Sequence, residues 1–326
     1  MTKKNSALVL AAALAAFSLL ATSCAQPRLI AQDKHALLIG ITDYPGTNND
    51  LQYPVADAEL LQTLFVSKGW TVEPLLTDSA ATKSGIQSAI ATFLSGLSPN
   101  ATALIYYSGH GTVSNLAAVQ YEELHNTLSG FSGDIGDTLL APYDFNTSTW
   151  KGGIPPSEMS SWIDASPTKN VIFISDSCYS GGFVAPADST DLIASPYTGW
   201  GSNTVSVSSL AALGDFGGLL AKNASANGAL VPIAISASGN EEFSYEDWPV
   251  GNPYNMGINH GIFTYYLNES ATRADANGDG YVTCTEAYTY TAKAIKTHWN
   301  NVKNSSESFY PHISGSLRDL VLFDNH

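Results

Sequence analysis

Two short motifs carry side chains able to do covalent chemistry. The first is Ala103-Leu104-Ile105-Tyr106-Tyr107-Ser108-Gly109-His110-Gly111. The second is Val171-Ile172-Phe173-Ile174-Ser175-Asp176-Ser177-Cys178-Tyr179-Ser180-Gly181-Gly182. In each, an apolar stretch stops and a base or nucleophile type of residue follows at once among small residues. Apolar runs of this length read as strands buried on both faces of a parallel sheet. Ligands of open α/β sheets bind just beyond the carboxyl ends of such strands, so His110 and Cys178 stand where a catalytic pair would stand. A thiol must lose its proton to attack a carbonyl. An imidazole beside it can take that proton and later deliver it to a leaving amine. The tetrahedral intermediate needs backbone N–H donors, and the amides of Gly111 and Cys178 are the candidates. An isolated buried cysteine is usually an inert small hydrophobe. The strand-end setting shared with His110 is what points to a cysteine peptidase.

A second cluster has the chemistry of a metal site. Asp275-Ala276-Asn277-Gly278-Asp279-Gly280-Tyr281-Val282-Thr283-Cys284-Thr285-Glu286 matches the EF-hand loop at every coded position. Asp275, Asn277, Asp279, the Tyr281 carbonyl, Thr283 and a bidentate Glu286 would hold Ca2+. Gly280 would make the sharp turn and Val282 the small apolar contact. Flanking helices are expected over 262–271 and 285–295. The bland alternative is an Asp/Asn/Gly turn that fits by chance, and a lone loop of this kind more often welds two helices than senses a signal. No motif requires an organic cofactor.

These residues need a scaffold. Apolar runs predict strands over 35–41, 71–76, 103–107, 171–174, 230–237 and 317–323. Helical spacing of Val55, Ala58, Leu61 and Leu64 predicts a helix over 55–65, and Ile86, Ile90 and Phe93 share one face of a helix over 82–97. Further helices are expected after Pro155-Pro156-Ser157 and from Ile262. The alternation implies an α/β fold, a mostly parallel central sheet with helices on both faces. Residues 183–228, rich in Ser, Gly, Ala and Asp, lack periodicity and read as a functional loop or a processed linker.

The whole chain sets further bounds. It has 326 residues, 44% of them hydrophobic, enough for one large α/β domain or two small ones. A formal net charge of −15, with 14 Lys and Arg in no cluster, excludes a nucleic-acid binder. Lys3 and Lys4 followed by an apolar stretch from Ala7 to Ala21 read as a signal peptide over 1–23. The small residues before Cys24 resemble a bacterial lipoprotein cleavage box. Cys24 would then be lipidated, with 24–33 as a tether, making an exported cell-envelope lipoprotein, periplasmic or on the outer surface. Plain secretion is the alternative. Cys178 and Cys284 then remain, too few for a disulfide framework. A free thiol in an oxidising compartment needs a reason, and catalysis is one.

Tyr107-Ser108-Gly109-His110-Gly111 and Asp176-Ser177-Cys178-Tyr179-Ser180-Gly181 resemble the histidine and cysteine motifs of the caspase-like cysteine peptidases. Metacaspases and their bacterial, orthocaspase-type relatives are the most similar members. His35 to Ile41 resembles the family's first strand. Ala56-Asp57-Ala58 resembles its Asn-Asp-Ala helix start, with Ala56 departing from the Asn. Ile235-Ser236-Ala237-Ser238, with Glu242 and Glu246 downstream, and His260-Gly261-Ile262-Phe263-Thr264 resemble two later segments. The resemblance covers about residues 34–325 and implies one catalytic domain of caspase-hemoglobinase fold. It implies a Cys178–His110 dyad and a first pocket lined by Asp57, Ser108 and Asp176. A buried carboxylate facing Lys or Arg makes a charge-assisted pair, so cleavage after Arg or Lys in a peptide or protein is the implied activity. The bland alternatives are a helix N-terminal carboxylate for Asp57 and a turn-stabilising Asp176. The animal-caspase pentapeptide Gln-Ala-Cys-[Arg/Gln/Gly]-Gly is absent. In this family the linker after the cysteine strand is often cut, and Lys222 is the only Lys or Arg between Lys169 and Arg273, so self-cleavage is expected after Lys222. Metacaspases use calcium at a different acidic site, so the resemblance gives the 275–286 loop no role. Two other outcomes stay open, a catalytically silent surface module stabilised by calcium and transpeptidation at the same dyad. His35 and His260 read as structural.

Overall fold

The computed structural model describes residues 33–46, 48–113, 138–146, 151–184, 232–239, 242–252, 255–302, 307–314 and 319–326. The expected signal peptide over 1–23, Cys24, the expected tether up to residue 32, Lys222 and nearly all of the 183–228 segment lie outside the described residues.

Three strands form the centre: β1 (Lys34–Gly40), β4 (Thr102–Ser108) and β7 (Asn170–Asp176). β4 and β7 are buried at every position, which is why their sequences are continuously apolar rather than alternating. The short strands β2 (Thr71–Val72) and β3 (Leu76–Thr77) both pair with β1, so the single strand expected over 71–76 is broken in two. β8 (Ile233–Ser236) adds to β7 in parallel, and β10 (His312–Ser314) closes that edge antiparallel. The sheet order is β10-β8-β7-β4-β1-β2.

Successive strand residues point to opposite faces, and the core divides accordingly. Ala36, Leu38, Leu104, Tyr106, Ile172 and Ile174 pack on one face with helices α1 (Pro54–Ser67), α4 (Ile262–Arg273) and α5 (Cys284–Ile295). Leu37, Ile39, Ala103, Ile105, Val171 and Phe173 pack on the other with α2 (Lys83–Ser95) and α3 (Pro156–Asp164). The Thr82 side chain caps α2 by accepting the Gly85 N–H at 3.0 Å.

Two small pairings lie off the main sheet. β5 (Gly111–Val113) pairs antiparallel with β6 (Thr138–Leu140) directly after the histidine motif. The strand expected over 317–323 forms as β11 (Val321–Asp324) and lies off the main sheet. It pairs antiparallel with β9 (Tyr281–Thr283), inside the acidic loop. No helix among the described residues is long and apolar enough to cross a membrane.

Candidate active site

The register of the central strands builds the site. Gly40, Ser108 and Asp176 are paired positions at the carboxyl ends of β1, β4 and β7. His110 follows β4 and Cys178 follows β7, each by two residues, so adjacent strands deliver both to one edge. Close packing joins the two turns. A Cβ on Gly111 would lie 2.0 Å from the Cys178 carbonyl oxygen and 3.0 Å from Ser177 Oγ, so only glycine permits this approach. The amides of Gly111 and Cys178, the candidate oxyanion donors, therefore belong to two touching segments.

The imidazole is held by groups that residue type alone does not announce. His110 Nε2 lies 2.8 Å from the Asn49 carbonyl. A carbonyl only accepts, so Nε2 carries the hydrogen and Nδ1 keeps its lone pair. The Tyr44 ring packs on the imidazole at 4.9 Å between centroids, and its hydroxyl accepts the His110 N–H at 2.9 Å. Burial lowers the His110 pKa, opposed by the Asn49 hydrogen bond, so the neutral base is favoured.

The thiol of Cys178 donates to the Ser244 carbonyl at 3.6 Å. Burial pushes its pKa up to about 11. Burial thus favours the protonated thiol just as it favours the neutral imidazole. Tyr179 beside it adopts φ +58°, rare for a residue other than glycine, and its N–H is fixed at 2.7 Å on the Glu242 carbonyl.

Asp57, Ser108 and Asp176 come together as a buried cluster. Ser108 Oγ donates to Asp57 Oδ2 at 3.2 Å. The Gly261 N–H donates to Asp57 Oδ1 at 3.0 Å, and His260 Nδ1 lies 3.0 Å from the same oxygen. Asp176 accepts from Ser244 Oγ at 2.7 Å and from the Thr264 N–H and Oγ1 at 3.2 and 2.6 Å. A Cβ on Gly261 would lie 2.6 Å from Asp176 Oδ2 and 2.8 Å from Asp57 Oδ2, so both acids converge on one bare backbone position. Burial, with the charge of Asp57 behind it, raises Asp176 to about 7. Burial also raises Asp57, against the pull of His260 and Gly261. Glu246 closes the same corner by accepting the N–H groups of Gln52 and Tyr53 ahead of α1. His260, read from sequence as structural, is thus a direct partner of Asp57. Thr264 and Ser244 carried no chemical signal of their own.

The acidic loop joins α4 to α5, as its spacing predicts, and Gly280 makes its turn at φ +80°. Asp275 accepts the N–H groups of Gly278, Asp279 and Gly280, and Asn277 Nδ2 donates to Glu286 Oε1 at 3.0 Å. Glu286 Oε2 accepts from the Thr283 N–H and Oγ1, forming a capping box at the start of α5. Among the described residues no three His, Cys, Asp or Glu side chains gather tightly enough to cage a metal. The donor set is all oxygen, as Ca2+ requires, and its third and twelfth positions, Asn277 and Glu286, already meet. The residues therefore fit a calcium ion by donor type, with Glu286 also engaged in capping.

Comparisons with known proteins converge on the same region. The family model described as caspase domain matches residues 33–321. Metacaspase-7 of Arabidopsis thaliana is 29% identical over 163 residues, 47% of this chain and 36% of its own. Metacaspase-1 of Candida albicans is 31% identical over 124 residues, 35% of this chain and 26% of its own. The chain thus spans roughly a third of the length of the curated relatives it matches. Caspase-1 from Spodoptera frugiperda shares the fold, with a TM-score of 0.53 over 92% of this chain and 93% of that one at 11% identity.

Proposed function

This chain belongs to the caspase domain family, and on that premise we propose that it is a cysteine endopeptidase cleaving after Arg or Lys. The observation that carries the reading is the contact of the two motif turns. Gly111, next to His110, abuts the Cys178 carbonyl at the ends of paired strands. In the proposed reaction the thiol leaves the Ser244 carbonyl and passes its proton to His110 Nδ1 as sulfur bonds to the scissile carbonyl carbon. The Asn49 carbonyl holds the tautomer and steadies the imidazolium that forms. The developing oxyanion is met by the Gly111 and Cys178 amides. Collapse expels the amine, which takes the proton from His110, and water then releases the acyl group by the same path in reverse.

The pocket reading is supported by the convergence of Asp57 and Asp176 on Gly261. A guanidinium or ammonium would supply the positive charge that two adjacent buried acids lack. We also read the 275–286 loop as a calcium site, in which Ca2+ would neutralise Asp275, Asp279 and Glu286 and fix α4 against α5. Export and a lipid anchor on Cys24 complete the proposal, supported by the Lys3-Lys4 and apolar pattern before it.

The test is hydrolysis of fluorogenic peptides ending in Arg, Lys or Asp by the mature protein, beside Cys178→Ala and His110→Ala. Turnover of the Arg and Lys peptides alone, falling at least about 1,000-fold in either variant, is the expected result. Equal turnover of the Asp peptide would refute the acidic pocket. No turnover by a folded wild-type protein would refute the peptidase.

A further inference from the structure

We propose that His260 is a specificity-determining residue: a titratable partner that sits on Asp57 when no basic side chain is bound and, whenever it is protonated, works against one that enters. The inference rests on the reading of Asp57 and Asp176 as the receptor for Arg or Lys. Asp57 is 1% exposed and Asp176 6%. Among the described residues, His260 is the one basic side chain within ion-pair distance of either acid, at 3.0 Å from Asp57. It is the more open partner, with 21% of its side chain exposed.

A dedicated loop presents the ring. The carboxylate of Asp247, itself 1% exposed, accepts the N–H groups of Trp248, Met256, Ile258 and Asn259 at 2.9, 2.8, 2.7 and 3.1 Å. The Asp247 N–H then donates to the His260 carbonyl at 3.0 Å, and Glu246 bridges to Gly261 on the other side. Asn259 turns into the ring through φ +55°, a conformation asparagine tolerates. The position of the imidazole is therefore set by its own backbone.

Charge does the rest. The groups facing this corner are Asp57 from α1, Asp176 from β7, Glu246 and Asp247 from the loop, and the Tyr106 phenol from β4. None is cationic. A histidine changes charge between about pH 5 and 8. Protonated, His260 cancels Asp57 and repels an incoming guanidinium. Neutral, it leaves the full charge of the acids to the substrate. Affinity for a basic side chain should rise with pH by this route, while an uncharged side chain of the same shape should not feel it.

The experiment compares wild type and His260→Gln on two peptides, one ending in Arg and one in citrulline, over pH 5.5 to 8.5. Glutamine keeps a donor toward Asp57 and never carries charge. At pH 5.5 the variant should show a KM for the Arg peptide lower by at least on the order of tenfold, a screened fraction of the roughly 1,000-fold that one like charge at ~4 Å would exert at an effective dielectric near 20. The kcat and the citrulline KM should be unchanged, and the two proteins should converge at pH 8.5. An unaltered KM profile for the Arg peptide, or an equal change for citrulline, would overturn the inference. If wild type never prefers Arg to citrulline, the pocket reading itself fails. Should the Gln variant misfold, benzamidine binding to Cys178→Ala supplies the second measurement. Bound benzamidine should lower the midpoint of the His260 ring NMR titration, and an unmoved midpoint would sink the idea.

Discussion

Asp176 and Cys178 lie two residues apart on one turn, and burial acts on both. It raises the thiol to about 11 and the carboxyl to about 7. For the carboxyl this is also a statement about stability. A raised folded-state pKa means that the fold prefers the protonated acid. That contribution is complete below the ordinary carboxylate pKa, near ~4, and is lost as pH rises through about 7. Asp176→Asn should therefore melt above wild type at pH 8 by on the order of 1–4 kcal/mol. The gap should close as pH falls toward about 4, and cleavage after Arg and Lys should be abolished. A variant less stable than wild type at pH 8 would show that the bonds from Ser244 and Thr264 outweigh the cost of the buried charge. The same scale explains what could be read in advance. His110, Cys178, Asp57 and Asp176 were legible because their side chains have chemistry. Asn49 and Ser244 contribute carbonyls that any residue type could supply, so nothing in their identity marks them.

At the scale of elements, the histidine and cysteine turns form one unit through Gly111. Gly111→Ala places a methyl 2.0 Å from the Cys178 carbonyl, and backbone cannot swing aside as a long side chain could. We expect kcat/KM to drop by at least about 100-fold with the far-UV circular dichroism unchanged. Retained activity would show that the turns can part without harm. The helix α4 has a comparable double duty. Gly261 and Thr264 at its start hold Asp57 and Asp176, and Asp275 follows its last turn. The strands and helices around the two cores were readable from apolar period, since both faces of β4 and β7 are covered. The pairing of β11 was not. An apolar run says that a strand is buried, but not which edge it meets, and β9 is a partner of three residues inside an acidic loop.

Taken whole, the molecule ties its calcium-type loop to the main body through its last strand. The Trp70 indole donates to the Leu322 carbonyl at 3.0 Å, Phe65 stacks on Phe323 at 5.7 Å, and the Asn325 N–H donates to the Gly280 carbonyl at 2.8 Å. Ion binding here should therefore stabilise the entire fold. In thermal melts, Ca2+ at about a hundred times its Kd should add about 2.7 kcal/mol over chelator, an increment absent in Glu286→Gln. Equal melting with Ca2+ and chelator would remove calcium from the account. The long reach of the pocket's bonds has a last consequence, in time rather than space. Asp57 finds its Gly261 partner 204 positions later. A polypeptide leaves the ribosome N-terminus first, so His110 and Cys178 emerge well before Ser244, His260, Gly261 and Thr264. A nascent chain therefore carries His110 and Cys178 with nothing yet to hold its acids in place, and on the proposed reading a basic side chain would find no receptor until the protein is nearly made.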